Sequence, residues 1–457
     1  MLIKIFDVVE SKVFCDISHA EMLRELLSYE HKGWFFNPRL QKSVQKTSQK
    51  SFLENKKFYS GFIPRITEHL KREKINYRIV DDSEKMNPIG GPKLNLPKGK
   101  SINKAQWDEE VKLVSSFLKI QKGIIVAPTG IGKTFIAAMI ISCYKNPSVL
   151  FIVDTKTLLK QTEKEFIQLL NLKPKDLKTV GDKKVDFNAR IVITTRQTFA
   201  KLDPYLYGDK FDIVIVDECH EFASQNRKIL ESILSPVRLG LTATMPPEKY
   251  KRLLIEGLIG PVVGELTLEE GIKGGMLAKP ILKLYKTDFH EGVHDCRRWR
   301  DAYKLGIVEN VSRNKQIAKI AMSFAANNKT SLIFVKEIAH GNHIIEAAGE
   351  MDLKMIWGNT LSEDREKARQ EIIQKKIKCL VVSSVWKKGV NIPSLDVVIN
   401  AAGYKYDNAV LQMIGRGLRR TEDKEELIIV DFFDPSHHSL INHFGHRLSL
   451  YFEKGWM

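Results

Sequence analysis

The chain of 457 residues carries 72 Lys and Arg against 55 Asp and Glu, a formal net charge of +17, with 43% hydrophobic residues. At about 150 residues per domain this length suits two to four domains, and so much apolar material excludes an intrinsically disordered chain. No apolar run approaches the roughly 18 residues of a membrane span, and the basic balance points to a polyanionic partner.

The N-terminus, MLIKIFDVVE, alternates charged and apolar residues without an apolar signal core or cleavage site, so a cytoplasmic protein is expected. The stretches LIKIFDVVESKVFCDI and NYRIVDD read as strands flanking two amphipathic helices, near Ala20–Tyr29 and Pro64–Glu73. Together they predict a small α+β domain over residues 1–96. Between Lys32 and Arg78 twelve Lys and Arg face three acids, a local excess of +9. Trp34, Phe35, Phe36, Phe52, Phe58, Tyr59 and Phe62 are interleaved with them. Basic groups neutralise phosphates and aromatics stack on unpaired bases, although aromatics at such spacing also serve as core. The stretch MNPIGGPKLNLPKGK (86–100) reads as an ordered linker.

From Gly123 short β-branched apolar runs alternate with helical stretches: GIIVA (123–127), VLFIV (149–153), RIVITT (190–195), FDIVIVDE (211–218) and VRLGLTAT (237–244). Runs buried on both faces and spaced by helices predict a parallel sheet of βαβ units. A second series follows in SLIFV (331–335), LKMIWG (353–358), KCLVVSS (378–384), LDVVINA (395–401) and LIIVDF (427–432). Two series predict two parallel α/β domains in tandem, at 97–295 and 296–457. Gly271 to Arg313 reads as irregular, with the boundary between Leu282 and Val311. The cysteines Cys15, Cys143, Cys219, Cys296 and Cys379 are scattered with no CxxC pair, which disfavours structural zinc and disulfides. His437, His438, His443 and His446 lie in a predicted amphipathic C-terminal helix, where a surface role outweighs metal binding.

APTGIGKT, Ala127 to Thr134, follows a strand and opens the helix TFIAAMIISCY, as a phosphate-binding loop requires. Pro128, Thr129, Gly130, Ile131 and Gly132 let backbone N–H groups form an anion nest at a helix start. Lys133 then reaches the β- and γ-phosphates of ATP, and the Thr134 hydroxyl is a Mg²⁺ ligand. Ala127 stands where the first Gly of the pattern is written. Asp217-Glu218-Cys219-His220 ends a parallel strand, where α/β sheets bind ligands. There Asp217 suits Mg²⁺ and Glu218 the attacking water. In QMIGRGLRR (412–420) two arginines three apart, Arg416 and Arg419, share a helix face and suit a γ-phosphate.

APTGIGKT, DECH, TAT (Thr242–Thr244) and QMIGRGLRR occur in the order and spacing of superfamily 2 helicases, and the chain resembles that family from Asn103 to Asp434. The resemblance implies two RecA-like domains and an ATP- and Mg²⁺-dependent ATPase acting on nucleic acid. It implies that Gln106 reads adenine, that Gly389 touches nucleotide and strand, and that Asn391 stands where relatives carry Asp. It makes Thr242, Thr244 and Gln412 coupling residues, and Arg416 and Arg419 γ-phosphate arginines. Thr155, Lys156, Thr194, Thr195, Gln197 and Lys336 fall where relatives grip the phosphodiester backbone.

HKGWFFNPRL (31–40), YSGFIPRITEHLKREKINYRIVDD (59–82) and SRNKQIAKIAMSFA (312–325) are similar to UvsW-type phage recombination helicases. That similarity implies a monomeric motor on branched or forked DNA, working beside recombination or replication proteins in an infected or bacterial cytoplasm, with no membrane partner. The motor motifs are equally compatible with an RNA helicase, or with a duplex translocase subunit that separates no strands. A nucleic-acid clamp with a vestigial ATP site conflicts with the intact Lys133, Asp217, Glu218, Arg416 and Arg419.

Overall fold

The computed structural model describes residues 1–7, 9–37, 42–96, 102, 104–181, 187–203, 207–222, 227–349, 353–357, 360–383, 392, 395–405, 414–415, 417–420 and 424–457, with side chains at all of these except 32–37, 42–46, 222 and 362. It separates into two compact units. One comprises Met1–Ala127 and Gly132–Leu266, the other Pro128–Ile131 and Thr267–Met457.

At the start of the first unit, strands β1 (Leu2–Ile5) and β2 (Glu10–Phe14) alternate buried and partly exposed residues, as a half-covered sheet demands. A hairpin of two ten-residue strands, β3 (Ser28–Asn37) and β4 (Lys42–Ser51), forms a separate two-stranded sheet. Strands β5 (Lys57–Tyr59) and β6 (Arg78–Asp81) complete a mixed sheet of order β5-β2-β1-β6. Helix Ile17–Leu26 is capped by the Asp16 carboxylate, and helix Ile63–Arg72 begins with Pro64 in its first turn. The second helix lies within a residue of its expected place; the first begins three residues before Ala20, and Ser28 and Tyr29 open a strand instead. The hairpin was not expected.

Ile3, Val13, Leu23, Phe58, Phe62, Ile66 and Leu70 form one cluster with Leu253, which belongs to helix Lys249–Ile259 of the adjoining sheet domain. Phe52 lies 5.9 Å from Tyr250 in a stacked pair, and Tyr29 lies 4.8 Å from the same ring. Arg65 donates two hydrogen bonds of 2.6 Å to Glu256, and Tyr59 donates to Glu231. Phe52, Phe58, Tyr59 and Phe62 of the basic stretch therefore serve as core and docking surface. Burying them there offsets the entropy of fixing a small domain against its neighbour.

The sheet of the first unit comprises β7 (Lys122–Val126), β8 (Val149–Val153), β9 (Leu177–Val180), β10 (Ile191–Thr195), β11 (Ile213–Asp217), β12 (Val237–Thr242) and β13 (Val262–Glu265). All are parallel in the order β13-β7-β12-β11-β8-β10-β9. β8, β10 and β12 are buried at every residue, because helices cover both faces.

The second unit holds β14 (Lys279–Lys286), β15 (Ser331–Phe334), β16 (Lys354–Ile356), β17 (Cys379–Val382), β18 (Val397–Asn400) and β19 (Glu426–Phe433). They form a parallel sheet of order β14-β19-β18-β15-β17-β16. The expected boundary at 295/296 is corrected by β14, which pairs with β19 along its whole length and so belongs to the second sheet. The stretch read as irregular from Gly271 holds this strand, whose sequence KPILKLYK mixes Lys with apolar residues and is half exposed at the sheet edge. Buried ion pairs tie the helices to the sheet: Arg313 to Asp434 at 2.8 Å, and Arg447 to Asp431 at 2.8 Å. Breaking such a pair strands a charge, so each fixes the arrangement more than it stabilises it. Among the described residues no helix is long and apolar enough to cross a membrane.

Candidate nucleotide site and strand-facing loops

Strand β7 ends at Val126, and the Ala127 N–H then donates to the Thr242 carbonyl at 2.9 Å. This register places the loop start beside the tip of β12. Gly130 and Gly132 adopt φ of 101° and 97°, a region that glycine enters without steric cost. Ala127 is fully buried and has no such φ, so the departure from Gly at this position costs the loop nothing. Gly132 caps helix Lys133–Ser142, which leaves the first N–H groups of that helix directed at the loop.

Lys133 Nζ lies 3.3 Å from Glu218 Oε1. Glu218 itself has φ of 48°, uncommon for a residue with a side chain. Strain of this kind persists only where the surroundings hold it, often at functional sites. Burial pushes the Glu218 carboxyl up, but Lys133 and His220 outweigh burial and hold it below the usual carboxylate range. The other oxygen, Oε2, lies 3.3 Å from His220 Nδ1, which in turn lies 2.8 Å from Thr242 Oγ1. Thr242 donates its single hydroxyl proton to the Thr244 carbonyl at 2.8 Å. His220 Nδ1 must therefore be the donor to Thr242. Phosphate-loop lysine, DECH and TAT thus form one connected chain of contacts. Asp217 closes β11 half-buried, and Thr134 sits in the first helical turn, also half-buried. Carboxylate and hydroxyl oxygens are the hard donors that Mg²⁺ takes, so these two residues fit that ion.

Gln106 lies in the first turns of helix Lys104–Ile120, and its amide donates to Glu110 at 3.1 Å. The proposed strand-gripping residues divide into two groups. Thr155 caps helix Lys156–Leu169 by accepting from Leu158 N, and Thr195 caps helix Arg196–Phe199 by accepting from Thr198 N. Thr194 is fully buried and donates to the Val180 carbonyl at 3.3 Å. Thr194 and Thr195, expected at the strand, are buried, with their hydroxyls engaged in local hydrogen bonds. Lys156 and Gln197 are exposed. Arg196, which sequence reasoning passed over, pairs with Asp154 at 2.8 Å and donates to the Glu221 carbonyl at 2.8 Å. It ties the tips of β8 and β10 to the DECH segment. An Arg after a TT pair carries no sequence signal for this, because both partners are fixed only by the fold.

In the second unit, Lys336 is exposed and sits 3.4 Å from the centre of the Tyr404 ring. Arg419 is half-buried and pairs through its backbone with Leu277. Gly389, Asn391, Gln412 and Arg416 lie outside the described residues. His437 caps helix His438–Glu453, and His443 packs on Trp299 and Tyr404.

A phosphate loop, an acidic strand tip and a threonine relay on one parallel sheet, followed by a second parallel sheet, define a nucleotide-hydrolysing motor of two α/β domains. Residues 100–247 match the family described as type III restriction enzyme, res subunit, and residues 312–421 match the helicase conserved C-terminal domain. The chain is 27% identical to DNA 3'-5' translocase XPB2 of Sulfurisphaera tokodaii, over 70% of this chain and 80% of that protein. It is 23% identical to ATP-dependent DNA helicase uvsW of Enterobacteria phage T4, over 94% of this chain and 89% of that protein. The helicase domain of Pyrococcus furiosus Hef shares the fold with a TM-score of 0.54, at 14% identity, over 76% of this chain and 99% of that structure. The chain resembles the superfamily 2 helicases, the UvsW type among them, and is an ATP hydrolase.

Proposed function

We propose that this motor uses ATP and Mg²⁺ to remodel branched or forked DNA, moving branch points and opening or reversing forks. The contact between Lys133 and Glu218, continued through His220 to Thr242, carries the reading. It joins the residue that meets the terminal phosphates to the one that activates water and to the TAT segment. Lys133 neutralises phosphate charge, Glu218 orients and polarises the attacking water, and the nest of N–H groups at Gly132 positions the phosphates. Thr134 and Asp217 would hold Mg²⁺, which when bound neutralises charge on the β- and γ-oxygens. Arg416 and Arg419 are assigned to the γ-phosphate, Gly389 to nucleotide and strand, Thr242, Thr244 and Gln412 to coupling, and Thr155, Lys156, Gln197 and Lys336 to the strand.

Residues 1–96 act as an accessory DNA site. Support comes from the local excess of +9 and from docking on the first motor sheet rather than flexible tethering. Because residues of this segment complete the cover of helix Lys249–Ile259, charge substitution tests the idea better than deletion. Replacing Lys32, Lys42, Lys46 and Lys50 by Gln should weaken four-way-junction binding more than single-strand binding. The salt dependence should become shallower by about one unit of slope for each phosphate no longer neutralised.

The deciding assay compares ATP-driven strand separation on forks, four-way junctions and tailed duplexes, each in DNA and RNA form. Preferential turnover of DNA junctions and forks is expected, and equal or faster action on RNA would overturn it. A second reading, translocation along duplex without strand separation, is favoured by the translocase relative. Displacement of a triplex-forming strand without unwinding would identify it.

A further inference from the structure

Helix Lys104–Ile120 buries Glu110, Leu113, Val114 and Phe117, the i, i+3, i+4, i+7 face of an amphipathic helix. An apolar residue is expected at the first of these positions, yet it is a glutamate with no exposed surface. One carboxyl oxygen, Oε1, accepts from Gln106 Nε2 at 3.1 Å. The other, Oε2, has no hydrogen-bond partner among the described residues. Burial raises the pKa and the Gln106 bond offsets it only in part, leaving it at about 7. A half-satisfied carboxyl in a core is costly, so its presence calls for a use that Leu would not serve.

That use follows from the chemistry of an amide. The Gln106 side chain carries NH₂ on one side and a carbonyl oxygen on the other. An ionised carboxylate can only accept, so the side facing Glu110 must be the NH₂, and the carbonyl must face away. A carbonyl so fixed accepts from an exocyclic amino group and repels another carbonyl. We propose that Glu110 is a positioning residue that locks the Gln106 amide and so makes the nucleotide site select a 6-aminopurine over a 6-oxopurine. This rests on the reading of Gln106 as the base-reading residue.

The test uses the full chain at pH 8.5, where Glu110 is ionised. kcat and KM are measured for ATP and GTP, in the presence of DNA, for wild type, Glu110→Gln, Gln106→Ala and the double variant. Glu110→Gln offers Gln106 either a donor or an acceptor and releases the lock. It should keep kcat for ATP within about twofold and cut the ATP-to-GTP ratio of kcat/KM about tenfold, the worth of one misplaced hydrogen bond. In the Gln106→Ala background it should change nothing further. Glu110→Leu suits the apolar register, so it should melt no lower than wild type while losing the same discrimination. A lowered melting temperature with an intact ratio in both Glu110 variants would make the residue merely structural and overturn the proposal. If Gln106→Ala shifts the ratio and Glu110→Gln does not, the proposal alone falls. If Gln106→Ala leaves the ratio unchanged, the reading of Gln106 falls and takes the proposal with it.

Discussion

Gly257 offers a test of how the N-terminal segment is held, because two effects of opposite sign meet there. It lies buried in helix Lys249–Ile259 against the N-terminal docking surface. Gly257→Ala should gain about 0.8–1.0 kcal/mol of helix propensity. The added methyl, however, would sit 2.8 Å from Phe62 Cε2, Phe62 Cζ and Tyr59 Cδ2. Carbon atoms rest at about 3.5–4.0 Å, so the two surfaces must part by roughly 0.7–1.2 Å. The rings have no easy retreat: Phe62 is fully buried, with Phe52 at 5.8 Å and Tyr59 at 6.3 Å.

Overpacking of this kind costs about 1–3 kcal/mol. Parting the surfaces also stretches the two Arg65–Glu256 hydrogen bonds beyond bonding range from their present 2.6 Å. Charge-assisted bonds are worth about 1.5–3 kcal/mol each, and the 39% exposure of the Arg65 side chain argues for the low end. After subtracting the helix gain, docking should weaken by about 3–5 kcal/mol, which is about 150-fold to several thousand-fold in the open population. Amide hydrogen exchange reads this directly, as lost protection in helix Ile63–Arg72 and in the Gly257 helix. Unchanged or greater protection would refute the reasoning, because helix propensity alone would then have decided the outcome.

Lys133→Ala should abolish ATPase activity, and Glu218→Gln should bind ATP without turning it over; normal hydrolysis by either, in a phosphate-release assay, would remove it from the site. Glu218 is held below its usual value of 4.5, so its ionised form stabilises the fold above that pH. That contribution should be lost as pH falls through the depressed value, and a wild-type melting curve that loses less stability with acid than the Glu218→Gln curve would contradict the shift. Arg196→Ala should leave DNA-independent hydrolysis within about twofold and reduce DNA stimulation at least tenfold, since even one of its two charge-assisted bonds at the strand tips is worth about 1.5 kcal/mol. Equal loss of both rates would make Arg196 a general stabiliser.

Strands buried on both faces were readable because such runs are continuously apolar, and VLFIV is buried at every position. The edge strand β14 lacked that signal, since half of its surface needs no cover. The hairpin of β3 and β4 was missed because KSVQKTSQKS shows no apolar alternation. The roles of Phe52, Tyr59 and Phe62 could not be read locally, because their partners Tyr250 and Gly257 come from a helix far along the chain. Motif residues such as Lys133 and Glu218 were legible because phosphate chemistry fixes residue type and spacing together. Thr194 and Thr195 were less legible: a Thr at a strand tip suits a phosphate contact and a helix cap equally, and its burial shows only in the fold.

That distinction alters how the first sheet can sense a bound strand. Thr155 and Thr195 each accept a backbone N–H of the helix that follows, which fixes the loop starts after β8 and β10. Arg196 stands between them, bonded on one side to Asp154 after β8 and on the other to the Glu221 carbonyl. The Glu221 N–H donates to the carbonyl of Glu218 at 3.0 Å, in the turn where Glu218 holds its unusual φ. Three consecutive polar contacts thus run from Asp154 through Arg196 and Glu221 to the backbone carbonyl of Glu218. An apolar linkage of equal length would yield at each contact, because dispersion has no preferred direction. Hydrogen bonds do, so the orientation of Arg196 is linked to the turn that carries Glu218.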